Sequence, residues 1–130
     1  MTEDKLLYGA LLTLAKKRRV GVMVESLPEE FLLECESFRE FTGCYFMYWE
    51  GYCGMIFINK AFPFKQRLRT LAHELSHHQL HYGRFPAGYD YDQAVRDQVE
   101  AETDRYADRL LSYLRQRLSI SKSVPEEVVA

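Results

Sequence analysis

The chain has 130 residues, 47% hydrophobic and 28% charged, a balance that excludes collagen-like, low-complexity and disordered chains and predicts a single domain over residues 1–130. With 17 Lys+Arg against 19 Asp+Glu the net charge is -2, which gives no reason to expect direct nucleic-acid binding. No apolar run approaches the ~20 residues of a membrane span, Met1–Leu14 lacks the cationic start and cleavage site of a signal peptide, and the odd set Cys35, Cys44 and Cys53 has no metal-type spacing, so the expected setting is a reducing cytoplasm.

Leu7, Leu11 and Leu14, with Ala10, recur at three- and four-residue spacing and predict a helix over Glu3–Arg19, with Thr2 as N-cap and Gly21 just past its end. The run Lys16-Lys17-Arg18-Arg19 reads as a phosphate patch or as solvated cations complementing the helix C-terminus, and the net charge favours the second. Val20–Glu25 predicts a strand stopped by Leu27-Pro28, and Pro28–Phe38 a short helix. Cys44–Trp49 and Tyr52–Asn59 predict a hairpin turning at Glu50-Gly51. Pairing across that turn places Cys44, Phe46, Tyr48, Cys53, Met55 and Phe57 on one face, and Tyr45, Met47, Trp49, Tyr52, Ile56 and Ile58 on the other. Both faces are apolar, so each needs a cover, from the chain itself or from a partner. Pro63 opens a helix to about Tyr82, and Gly83, Pro86 and Gly88 mark a loop. A long helix then covers Tyr91–Leu118, with Ser119–Ala130 expected to fray. The fold class is a small α+β domain: a short antiparallel sheet near residues 44–59 packed on the Pro63 helix and the long C-terminal helix.

Chemistry concentrates in the Pro63 helix, at His73-Glu74-Leu75-Ser76-His77, an H-E-x-x-H pattern. Four residues apart, His73 and His77 share one helix face, so both imidazoles can reach one divalent ion. Glu74 lies beside that face, where a general base for an attacking water belongs. Phe64, Leu68, Leu71, Ala72 and Leu75 form an apolar stripe on the opposite side, so one face packs the core while the other offers ligands.

A third ligand is expected from the last helix. Val95, Val99, Tyr106, Leu110 and Leu114 form a stripe in which Glu102 takes the missing position, three residues after Val99 and four before Tyr106. A carboxylate on a buried stripe needs compensation, from an ion held by His73 and His77 or from Lys65, Arg67 or Arg69. Glu100 points about 160° away from Glu102 and is expected in solvent. His81 lies about 12 Å along the axis from His73, too far for the same ion, and is either a residue supporting the site or substrate, or a surface histidine. His78 reads as structural, and the three cysteines as packing residues, a redox role over the metal being the alternative. A tyrosine near the site, such as Tyr106, could hydrogen-bond a reacting oxygen or a ligand. The metzincin extension is absent, since Leu80 and Gly83 stand where its glycine and third histidine would be.

The strand Gly54–Asn59, the segment Thr70-Leu71-Ala72-His73-Glu74-Leu75-Ser76-His77-His78-Gln79-Leu80-His81 and the later Glu102-Thr103-Asp104-Arg105-Tyr106-Ala107 together resemble the ImmA/IrrE family of metallopeptidases. That family combines a strand, a helix close to R-x-T-L-A-H-E-L-G-H-x-x-L-H and a later helix with E-A-[ND]-x-[FY]-A. The resemblance covers roughly residues 43–111. Leu68 stands where the family's arginine would be, Ser76 and Thr103 replace Gly and Ala, and Leu110-Leu111-Ser112-Tyr113 replaces L-L-M-P. The resemblance implies zinc, or manganese, on His73, His77 and Glu102 with Glu74 as base. It also implies cleavage of a separate helix-turn-helix repressor of mobile-element or stress-response genes. The strand Cys53–Asn59 is expected to offer an edge on which an extended substrate adds. The alternative is a non-catalytic or latent metal-stabilised module that sequesters a regulator or toxin; the oligomeric state and the activating signal are left open.

Overall fold

The computed structural model describes the backbone of residues 2–26 and 41–129, and side chains as far as residue 119. The expected short helix Pro28–Phe38 and Cys35 lie outside the described residues.

Helix α1, Glu3–Lys17, begins where Thr2 Oγ1 accepts the Lys5 amide hydrogen at 3.3 Å. Glu3 and Asp4 occupy its first turn and Lys16 and Lys17 its last, each charge opposing the helix dipole. It buries Leu7, Leu11 and Ala15, then turns through Arg19, at φ 59°, into strand β1, Val20–Glu25.

Strands β2, Gly43–Phe46, and β3, Gly54–Asn59, complete a sheet in the order β1-β3-β2. The hairpin keeps the register that a two-residue turn at Glu50-Gly51 dictates. Cys44 stands opposite Phe57, Tyr45 opposite Ile56 and Phe46 opposite Met55, while Trp49 bridges to Tyr52 around Gly51 at φ 84°. The ladder lapses at Met47-Tyr48, so β2 is shorter than expected.

The sheet is mixed rather than purely antiparallel, because β1 lies parallel to β3 on its other side. This removes the expected edge: β3 is central, and β1 and β2 are the edge strands. A segment apolar on both faces is stable when flanked and covered, and all of β3 except Phe57 is buried.

Helix α2, Phe64–His81, follows Pro63 and packs Leu68, Leu71, Ala72 and Leu75 into the core with Ile56, Ile58, Leu7 and Leu11. Helix α3, Gln93–Val129, packs along α2 and continues past Leu118, so the tail expected to fray is helical as far as Val129. No helix among the described residues is long and apolar enough to cross a membrane.

The rotation of α3 about its axis decides the site. Its buried line runs Val99, Thr103, Ala107, Leu111 in four-residue steps, not through Val99, Tyr106 and Leu110. Small side chains at Thr103, which is 0% exposed, and Ala107 let α3 approach α2 closely, whereas Tyr106 and Leu110 fit only at the side and stay half-buried. The two lines share Val99, but replacing Glu102, Tyr106 and Leu110 by Thr103, Ala107 and Leu111 turns the buried face about 70° from the expected orientation. Glu100 and Asp104 then stand on one side of the contact and Glu102 on the other.

Candidate metal centre

The two-faced character of α2 brings His73 and His77 together above the α2–α3 groove, with ring centroids 4.7 Å apart and nearly perpendicular. From α3, the Glu100 carboxylate reaches both: Oε2 lies 2.9 Å from His73 Nε2 and Oε1 3.2 Å from His77 Nε2. One donor atom each from His73, His77 and Glu100 falls within 4.8 Å of the others, a spacing a single ion can satisfy. Two imidazoles and one carboxylate are the donor set of open catalytic zinc centres rather than of closed structural ones.

Supporting contacts fix the rings. Asp104 Oδ1 lies 2.8 Å from His73 Nδ1, so a carboxylate backs the ring nitrogen remote from Glu100. Behind His77, its Nδ1 meets His81 Nδ1 at 3.1 Å and Thr103 Oγ1 at 3.5 Å. His81 is only 5% exposed, its ring stacked on Phe85. Burial first, then the neighbouring His77, lowers its pKa and favours the neutral ring.

The electrostatics are arranged around a positive charge. Burial pulls His73 down, but its hydrogen bond to Glu100 and the charges of Glu74 and Glu100, with Asp104 behind, outweigh it and raise the ring to about 9. Hydrogen bonds from His73 and His77 hold Glu100 well below the ordinary carboxylate range. A protonated histidine neutralises the carboxylate, and a divalent cation among the same three donors would do so in its place. Glu74 is buried beside them, and burial raises its carboxyl against the opposing pull of His77 and His73.

The expected third ligand is corrected. Glu102 is exposed and faces a shallow groove with Leu80, Arg105, Tyr106 and Arg109, while Glu100, expected in solvent, meets both imidazoles. The physical reason is the rotation of α3 set by Thr103 and Ala107. The same rotation takes Tyr106 away from the histidines, into a groove with Ala10 and Leu14 of α1. His78 is buried and its Nδ1 lies 2.6 Å from the Tyr45 hydroxyl, a contact that ties α2 to β2.

A cleft of about 560 Å³ opens beside the group, lined among others by Thr42 and Gly43 at the start of β2, His73 and Glu74 of α2, and Glu100 and Asp104 of α3. Cys44 adjoins this corner. Burial, and then the Glu74 charge, pushes its thiol up to about 11. Cys44 and Cys53 are free thiols, and neither joins the three-residue group.

Sequence reasoning missed Glu100, Asp104 and Tyr89, whose hydroxyl lies 3.2 Å from Glu100 Oε1. A signal existed for the first two: acids four residues apart, flanking the small pair Thr103 and Ala107. None marked Tyr89, which a loop delivers.

Residues 18–111 match the family model of Peptidase_M78, the IrrE N-terminal-like domain. Comparison with curated proteins and with solved structures returns no match. The matched segment runs from the end of α1 through the sheet and α2 to Leu111 of α3, and so carries every residue around the centre; the chain belongs to the ImmA/IrrE family of metallopeptidases.

Proposed function

We propose that this chain is a zinc-dependent endopeptidase whose protein target is a separate helix-turn-helix repressor, in a cytoplasmic setting. The observation that carries the enzymatic part is the convergence of His73, His77 and Glu100, with buried Glu74, beside a cleft that His73, Glu74 and Glu100 line. His73, His77 and Glu100 would hold the ion, zinc or manganese. Such an ion supplies Lewis acidity, polarising a scissile carbonyl and making water more acidic.

The protein supplies the rest. Glu74 accepts a proton from the attacking water and returns it to the leaving amine nitrogen, a role that its burial-raised pKa suits. Asp104 and His81 hold the two imidazoles in orientation through their remote nitrogens. The edge strand β2 borders the cleft at Gly43, so an extended substrate is read there by backbone hydrogen bonding. The identity of the target rests on the family, not on the geometry.

The test is Glu74→Gln. Purified chain loaded with zinc is incubated with the helix-turn-helix protein encoded beside it, with and without chelator. Wild type is expected to cut and to stop when chelated; the variant is expected to bind zinc and leave the target whole. Cleavage by the variant would overturn the assigned base. A second reading is favoured by the exposed aromatics Phe46, Tyr48, Trp49, Tyr52 and Tyr82. In it the chain captures a regulator without cutting, and zinc-loaded wild type yields a stable complex with intact partner.

A further inference from the structure

The connection between α2 and α3 is short, yet it folds back over the metal centre. Gly83 and Gly88 take left-handed conformations, φ 99° and 92°, that let the chain reverse. The Tyr89 amide donates to Pro86 O at 3.1 Å, and the Asp92 amide to Gly88 O at 2.7 Å. Arg96 of α3 pins the loop from below, with Nε donating to Tyr89 O and Nη2 to Asp90 O, both at 3.1 Å. The ring of Phe85 stacks on His81 at 5.0 Å and on Tyr89 at 4.3 Å, and lies 5.5 Å from His77. This stack and clamp carry the Tyr89 hydroxyl to Glu100, where it donates to Oε1 at 3.2 Å.

The geometry points to Tyr89 as a positioning residue for the carboxylate ligand: its hydroxyl holds Glu100 Oε1 and so fixes the rotamer in which Glu100 faces His73 and His77. The inference rests on the metal centre proposed above. Among the described residues three groups contact the Glu100 oxygens: His73 at Oε2, and His77 and Tyr89 at Oε1. With His73 and His77 holding an ion, their ring nitrogens would no longer be free to donate to Glu100. Tyr89 remains, among the described residues, as the hydrogen-bond donor to this carboxylate. Holding Oε1, it would leave Oε2 available as the ligand oxygen.

Tyr89→Phe removes the hydroxyl and leaves the ring in its stack with Phe85, and is therefore the direct test. Zinc affinity is read by competition with a chromophoric chelator, and geometry by the visible spectrum of the cobalt-substituted protein. The expected result is affinity weaker by about 10- to 100-fold, the usual cost of losing a partner behind a metal ligand. An altered cobalt spectrum and an unchanged melting temperature are expected with it. Arg96→Gln, which loosens the loop without touching Glu100, should weaken zinc in the same direction and by less. Tyr89→Phe protein that binds zinc within about twofold of wild type, with the same cobalt spectrum, would overturn the role. So would unchanged affinity with lost cleavage, which would place the hydroxyl on the reacting atoms instead. Wild type that takes up no zinc would sink the metal centre itself, and this inference with it.

Discussion

Exchanging the two candidate acids of α3 separates them. Glu100→Gln keeps the size and one oxygen of the side chain but removes its charge. In the structure that carboxylate lies 2.9 and 3.2 Å from the two ring nitrogens, and among the described residues no other acid joins the group. Breaking a buried charge cluster by removing one partner costs about 3–5 kcal/mol. Glu100 is 38% exposed, so solvent screening puts the loss near the lower end. A loss of about 3 kcal/mol is an affinity lowered by about 100-fold. Glu102→Gln alters an exposed residue beside Arg105 and Arg109 and should move zinc binding by no more than about twofold. Both variants are titrated against the same chelator at one pH, with cleavage of the target as a parallel readout. If Glu102→Gln loses the metal while Glu100→Gln keeps it, the orientation of α3 described above is wrong.

Two further outcomes follow from packing and charge. A Cβ at Gly43 would stand 2.5 Å from the Phe57 carbonyl oxygen and 2.6 Å from Thr70 Cγ2, so Gly43→Ala should cost about 1–3 kcal/mol, seen as a melting temperature lowered by several degrees. Gly9, in α1 with open space around its Cβ direction, is the control: Gly9→Ala should stabilise by about 0.5–1 kcal/mol. Cys44, its thiol raised to about 11, should alkylate about 100-fold more slowly at pH 8 than an ordinary cysteine, with the rate still climbing at pH 10, as mapped by peptide mass. Glu74→Gln removes the second cause of that shift and should speed the reaction; equal rates in the two proteins would exclude the influence of Glu74 on this thiol.

Much of the fold was legible in the sequence because its signals are local. The Leu7–Leu11 spacing and Thr2 define α1, and the valines of β1 and the Glu50-Gly51 turn define strand positions and the hairpin register. The pairing of His73 and His77 on one face, with Glu74 beside them, is a property of a single helix and needs no partner. The parallel addition of β1 to β3 was not legible, since it joins segments about 30 residues apart and no local pattern names the neighbour.

The third ligand marks the boundary most clearly. Helical periodicity determines the angle between Glu100 and Glu102, about 160°, but not which of them faces α2. Choosing the large Tyr106 and Leu110 as the buried line selected Glu102; the contact with α2 instead admits Thr103 and Ala107, and turns Glu100 and Asp104 toward His73. The absolute rotation of a helix is set by how closely its neighbour can approach, and the position of Tyr89 by a loop anchored on both helices, through His81 of α2 and through Arg96 and Glu100 of α3. Both depend on packing between elements, which a single chain of residue spacings does not contain.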